Sequence, residues 1–260
     1  MTTIISSITR QGAFEPFELQ VARGQIQGHR NVTVFGFNPD VDTTQVSVWP
    51  LPSLITFPSS ATQMTVSSSS TDDTSAGTGA RSVVVQGLDA NYNEVSETVV
   101  MNGQTAVTMT ASLIRINYAY VLTAGSGNGA AGDIYIGTGT VTSGVPATVY
   151  DIIKLDYNTT ITGSYTVPAG YTAYLSQGLF STGQASGSTQ VEGRLLTRGT
   201  DNIRRTAAVT TLNNGVADYL FEYPLAIPEK TTIEATAIGS ANNNAVSSMF
   251  IFVLINNSGE

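Results

Sequence analysis

Cysteine is absent from the 260 residues, which excludes disulfides, thiolate metal sites and cysteine nucleophiles. Histidine occurs once, at His29. Histidine-based zinc sites need two or three such ligands, and a Ser-His-Asp relay would have to use this one ring. Charge is scarce: 12% of residues, against a usual share of roughly 25%. The balance is acidic, with a net charge of -8, and Arg204-Arg205 is the longest basic run. A phosphate-binding face needs a clustered basic patch, so nucleic acid and an anionic membrane are both disfavoured as partners. Windows rich in Ala, Glu, Lys and Leu at a 3.6-residue period are missing. No apolar run approaches the roughly 18 residues that a membrane helix needs; the longest, Met249–Ile255, has strand length. The first residues lack a basic stretch followed by an apolar one, so no secretory signal is expected there.

Serine, threonine, asparagine and glycine are abundant instead. β-Branched and aromatic runs of roughly 5–9 residues recur between turn formers, the pattern of an all-β chain. The organisation predicted is an extended N-terminal arm and linker over 1–60, a first β-sandwich over 61–145, and a second, jelly-roll-like sandwich over 146–260. Three prolines within "WPLPSLITFP" oppose central-strand pairing, so this stretch reads as a linker or as an edge docked on a surface. Trp49 within it is either a core plug or an intersubunit anchor.

The stretch "STDDTSAGTGAR", Ser70–Arg81, has the composition of several kinds of site. A P-loop requires G-x-x-x-x-G-K-[ST] ahead of a helix, whereas Gly77 and Gly79 precede Ala80, Arg81 and a strand. An EF-hand loop requires spaced oxygen ligands and a closing Glu, and Asp72 and Asp73 are adjacent with no such Glu. A polar hairpin loop is the better reading, with a looser calcium loop as the alternative. His29 reads as a solvated ring or a hydrogen-bond partner, and no G-x-S-x-G elbow accompanies it. A glycosidase would need a carboxylate pair, drawn from Asp72, Asp133, Glu192, Asp218, Glu222 and Glu234. The tyrosines, however, are spread along strands rather than gathered around these acids. Arg194, Arg198, Arg204 and Arg205 could pair between subunits with Glu192, Glu222, Glu229 and Glu234, or simply be solvated.

At "TVSSSSTDDTSAGTGARSVVVQGLDANYNEVSETVVMNGQTAVTMTASLIRINYAYVLTAGSGNGAAGDIYIG" (65–137), and again at "YTVPAGYTAYL" and "PLAIPEKTTIEATAIGSANNNAVSSMFIFVLI", the chain resembles structural proteins of tailed bacteriophages, especially marine and cyanobacterial ones. The resemblance implies a head decoration (cement) or tail-associated part. It implies no enzyme activity and no cofactor, a homotrimer, and the major capsid protein as partner. The location implied is the virion's capsid surface, after synthesis in the host bacterial cytoplasm. On that expectation Phe14, Phe17 and Trp49 are clamp anchors. Tyr118 and Tyr120, on one face of a strand, are further interface residues, or with Tyr171 and Tyr174 stack on host-surface glycans in a tail or fibre component.

Overall fold

The computed structural model describes residues 15–184 and 189–258, and it is all-β as expected. Among the described residues one short helix, α1 (Phe17–Ala22), precedes sixteen strands. β1 (His29–Val41) and β2 (Val46–Ser47) come first. β3 (Thr62–Ser68), β4 (Ala80–Leu88), β5 (Glu94–Val100), β6 (Val107–Leu113), β7 (Arg115–Ala124), β8 (Ile134–Thr142) and β9 (Val145–Ile153) follow. The chain continues through β10 (Ser164–Thr166), β11 (Tyr171–Gln184), β12 (Val191–Arg198), β13 (Arg204–Leu212), β14 (Gly215–Ile227), β15 (Thr232–Gly239) and β16 (Asn244–Asn256).

β1 is followed by seven strands, β10 to β16, that share its sandwich. One sheet runs β1-β16-β11-β14 and the other β10-β15-β12-β13, with β2 added beside β15. Counted in chain order, these eight strands lie 1-8-3-6 and 2-7-4-5, so first pairs with last, second with seventh, and so inward. That is the wrapping of a jelly roll. Alternation builds it. Along β16 every second side chain from Asn244 to Leu254 is buried, and Val246, Phe250, Phe252 and Leu254 meet Leu175, Phe180, Leu195 and Ile233 between the sheets.

Between β2 and β10 the chain leaves the jelly roll and forms a second sandwich. Its sheets run β6-β3-β8-β9 and β5-β4-β7. Met64, Val66, Val83, Val85, Met109, Leu113, Ile134 and Ile136 fill the space between them. The second sandwich is thus an insert in the first strand connection of the jelly roll.

This arrangement corrects the expected organisation in two places. The segment 29–47 is not part of an extended arm. β1 pairs with β16 from His29↔Ile255 to Val41↔Asn244, and Val34, Val41, Val46 and Val48 lie in the jelly-roll core. The junction drawn at 145/146 falls at the turn of the β8–β9 hairpin, where Thr142 pairs with Val145, so β9 belongs to the insert. The proline-rich stretch folds back between the two bodies. There Trp49 and Ile55 pack with Ile152 of β9, and Leu51 and Phe57 close over them.

Candidate contact surfaces and clefts

The loop Ser70–Arg81 is built around one carboxylate. Asp73 has no solvent exposure. Its Oδ1 accepts from the N–H groups of Ala80 (2.6 Å) and Ala131 (2.8 Å). Its Oδ2 accepts from the Ser68 hydroxyl (2.5 Å) and the Gly132 N–H (3.1 Å). Both oxygens are therefore occupied by donors that a cation would have to displace. Asp73 staples this loop to the loop before β8. A Cβ on Gly79 would lie 2.1 Å from Asp73 Oδ1, so the glycine is needed for close approach. Among the described residues no group of three or more His, Asp or Glu side chains converges as a metal site would.

Of the charged residues considered as intersubunit pairs, Arg194, Arg198, Arg204, Arg205, Glu192 and Glu234 find charged partners within the chain. Glu234 is wholly buried; it accepts from the Ser47 hydroxyl (2.6 Å) and lies 3.3 Å from Arg204 Nε and 3.4 Å from Arg198 Nη2. Arg205 bonds Asp201, and Arg194 bonds Glu192. Phe57 lies between two buried guanidinium groups, 4.1 Å from that of Arg115 and 4.2 Å from that of Arg198. Arg115 belongs to the insert and Arg198 to the jelly roll, so this stack ties the two bodies together. Burial lowers the pKa of both, and that of Arg198 falls to about 10. Asn117 of β7 adds a second tie, donating to the Thr166 carbonyl and accepting from the Thr166 N–H, each at 2.9 Å. As a glycosidase acid Glu234 has no access to substrate, and Glu192 is engaged by Arg194.

The expected anchors separate. Phe14 lies outside the described residues. Phe17 is half exposed on α1, edge-on to the His29 ring at 6.0 Å. His29 Nδ1 lies 2.9 Å from the Gln27 carbonyl oxygen. Trp49 is 1% exposed, and its Nε1 donates to the Ser53 carbonyl at 2.8 Å. Of its two readings the core plug is the one the structure takes, and as an anchor for another molecule Trp49 is corrected. Tyr118 is exposed and Tyr120 half-buried, their rings 5.6 Å apart.

Two surface features were not foreseen. One is a cleft of about 770 Å³ between β1 and the insert, lined among others by Arg30, Phe35, Gln86, Glu94, Asn117 and Tyr118. Arg30 donates to Glu94 across it at 2.5 Å and covers the Tyr171 ring at 5.0 Å. Burial raises the Tyr165 phenol above its usual range, partly offset by Arg30. The other feature is the open side of the jelly roll, where edge strands β13 and β14 diverge. β14 is exposed on both faces along nearly its whole length. Val216 is 63%, Leu220 79% and Tyr223 84% exposed. The regular pairing of β14 with β11 breaks between Leu225 and Leu220, where four residues, Phe221–Pro224, stand opposite one on β11; Tyr223 among them is exposed, whereas Phe221 packs on the core. In the sequence, "GVADYLFEYPLAI" carries apolar residues on both alternations, a pattern that fits a strand covered on two faces.

No protein-family model matches this chain, and no curated protein matches it. Among solved structures, the chain is similar to the infectious bursal disease virus VP2 subviral particle at 14% identity and a TM-score of 0.24, covering 88% of this chain and 71% of that one. The T13 particle of the same virus gives 13% identity and a TM-score of 0.26 over 89% and 68%. An isomalto-dextranase of Arthrobacter globiformis gives 12% and 0.24 over 87% and 35%. Superpositions of that quality leave the function to be argued from this chain's own residues.

Proposed function

We propose that this chain is a structural protein of a virion, and specifically a capsid decoration protein that binds the major capsid protein and stabilises the head, without catalysis of its own. The observation that carries the reading is the exposed apolar side of the jelly roll at β13–β14. Val216, Leu220 and Tyr223 are strongly exposed; large bare apolar patches are rare on monomeric soluble proteins, and edge strands that stand alone are normally short, charged or covered. β14 has thirteen residues and neither lysine nor arginine. Such a surface serves assembly. The resemblance to tailed-phage structural proteins supplies the setting, and jelly rolls are a recurrent architecture of capsid proteins, an analogy at the level of fold alone.

A decoration protein works by many modest contacts repeated across a lattice, whose effects multiply when they are linked. It needs a body that does not deform under load. The Arg115–Phe57–Arg198 stack and the Asn117–Thr166 pair supply that stiffness between the two sandwiches. The test is the copy number of this chain relative to the major capsid protein, read from a stained gel of purified particles. Near parity supports decoration, and a trace band refutes it.

A second reading, a tail or fibre component contacting glycans, draws on the cleft. Aromatic faces at Phe35 and Tyr118 stand beside the amide of Gln86, which suits stacking on a sugar with a hydrogen bond at its rim. Loss of glycan-array binding in Tyr118→Ala would support it. An array without signal from the wild-type protein would remove it.

A further inference from the structure

We infer that the cleft between β1 and the insert receives an extended, uncharged peptide segment, which pairs with the outer edge of β1 as an added strand. The inference goes beyond the decoration reading, and it gives the cleft a different occupant from the sugar of the second reading.

The backbone carries it. β1 ends its sheet, with β16 on one side only. In an antiparallel ladder successive residues turn their N–H and C=O groups alternately to one side and the other. The bonds at the two ends of β1 fix which residues turn outward. The Gly28 carbonyl accepts from the Asn256 N–H, so even positions face β16. The Phe37 N–H donates away from the sheet, to the Ile161 carbonyl at 3.3 Å, so odd positions face the other way. The register with β16 is unbroken from His29 to Asn38. Asn31, Thr33 and Phe35 therefore direct three N–H and three C=O groups away from β16, and none of the six has a hydrogen-bond partner among the described residues. Every residue from Arg30 to Phe35 lines the cleft, as does Ile161, so the free row opens into it.

The same geometry selects the occupant. Donors and acceptors set in strand register match another main chain, the mode by which sheet edges capture extended peptides. Natural edges are blunted by lysine, proline or a bulge, and Arg30–Gly36 has none of these. Gln86, Ser96 and Tyr118 of the insert form the facing wall, so a single strand enters rather than the edge of another folded sheet. The volume of about 770 Å³ lies within the roughly 300–1,000 Å³ of sites that enclose one ligand. The free run is short. At one end α1 bounds it, where Asn31 Nδ2 donates to the Glu18 carbonyl at 2.9 Å, and at the other Ile161 takes the Phe37 N–H. A peptide of about five residues covers it. Arg30 and Glu94 are the only charged residues of the lining, and they bond each other, so the peptide has no charge to meet. Its side chains would alternate between the Val32–Val34 side and the Thr33–Phe35 side, which favours β-branched residues.

The probe is a dye-labelled, end-capped pentapeptide of alternating threonine and valine, titrated with the full chain and followed by fluorescence anisotropy. Saturable binding below about 1 mM is expected. The same peptide N-methylated at every residue has no main-chain donors and should bind at least tenfold more weakly. Thr33→Pro removes one outward N–H and leaves the ladder to β16, a substitution that edge strands tolerate. It should keep the wild-type melt and lose at least tenfold in affinity. A wild type without saturable binding overturns the inference, as does equal affinity for the methylated peptide. Should Thr33→Pro fail to fold, the methylated peptide on the wild type decides. A glycan-array signal that Tyr118→Ala loses and Thr33→Pro keeps assigns the cleft to a sugar and likewise overturns it. The decoration reading fails separately. Peptide binding by a chain that is a trace component of particles defeats decoration alone, and parity with the capsid protein without peptide binding defeats the cleft inference alone.

Discussion

Asp73→Asn tests the reading of the Ser70–Arg81 loop. The carboxylate holds four donors on two oxygens, three of them backbone N–H groups. An asparagine keeps one oxygen. It can still serve Ala80 and Ala131, but those bonds lose their charge assistance, from about 1.5–3 to about 1 kcal/mol each. Its amide then faces the Gly132 N–H, donor against donor, leaving a buried N–H unpaired at about 1–3 kcal/mol. The sum is about 2–7 kcal/mol. At roughly 4–8 °C per kcal/mol for a body of the insert's size, its low end already corresponds to about 8–16 °C in the melting transition. Calorimetry resolves the insert's transition, and hydrogen exchange should localise the loosening to 68–80 and 129–133. A shift below about 1 °C would refute the staple. So would a calcium-dependent rise in the wild-type transition that the variant loses, because a cation would then occupy the oxygens assigned to hydrogen-bond donors.

Three further outcomes follow from the interior. Glu234→Ala strands the buried Arg198 guanidinium and should destabilise the jelly roll by about 3–5 kcal/mol; urea unfolding followed by Trp49 emission measures it, and a loss under 1 kcal/mol argues against the pair. Asp151 is buried, which raises its carboxyl to about 7 against opposing bonds from Thr162 and the Ile152 N–H. Between about pH 4 and 7 the folded chain therefore holds a proton that the unfolded chain releases. Asp151's contribution is complete below about pH 4 and disappears as pH rises through 7, by up to about 4 kcal/mol; Asp151→Asn should flatten that slope in melts across the range. Deleting residues 1–27 should leave the melt unchanged, whereas deleting 1–50 removes β1, β2, Val48 and Trp49 and should abolish the jelly roll's transition; a jelly-roll transition that survives the longer deletion would refute the assignment of β1 to that core.

The sequence made the all-β class legible because alternation is local. Strands such as Arg81–Leu88, Glu94–Met101 and Thr231–Ile238 announce themselves by β-branched residues between turn formers. The assignment of residues 29–41 was not legible in the same way. "HRNVTVFGFN" reads as a strand, but nothing local says that its partner stands more than two hundred residues later, at Asn244–Asn256. Pairing at that separation is decided by the two-sheet core, so an inserted body hides it. Trp49 illustrates the same limit. Its prolines predict an irregular segment, which the structure has, but whether such a segment faces outward depends on Ile152, contributed by the insert. The buried role of Asp73 was equally hidden, since two of its four donors, Ala131 and Gly132, come from a loop almost sixty residues away.

What the contacts between the sandwiches require is a fixed geometry, and that bears on the proposed lattice-bound role. Phe57 touches guanidinium groups from both bodies, and each cation–π contact contributes about 2 kcal/mol when desolvated. Asn117 adds two hydrogen bonds across the junction, and Thr162, on the return from the insert, donates to Asp151 at 2.5 Å. Movement of one sandwich against the other would expose Arg115 and break all of these together. The insert is therefore held at a set angle, and copies bound to a lattice in the proposed way would each present it in the same orientation. Repetition of one orientation across a shell is what a lattice-bound protein needs. A hinge at Phe57 would forfeit it, which makes Phe57→Ala a variant that should loosen the cleft without altering either core.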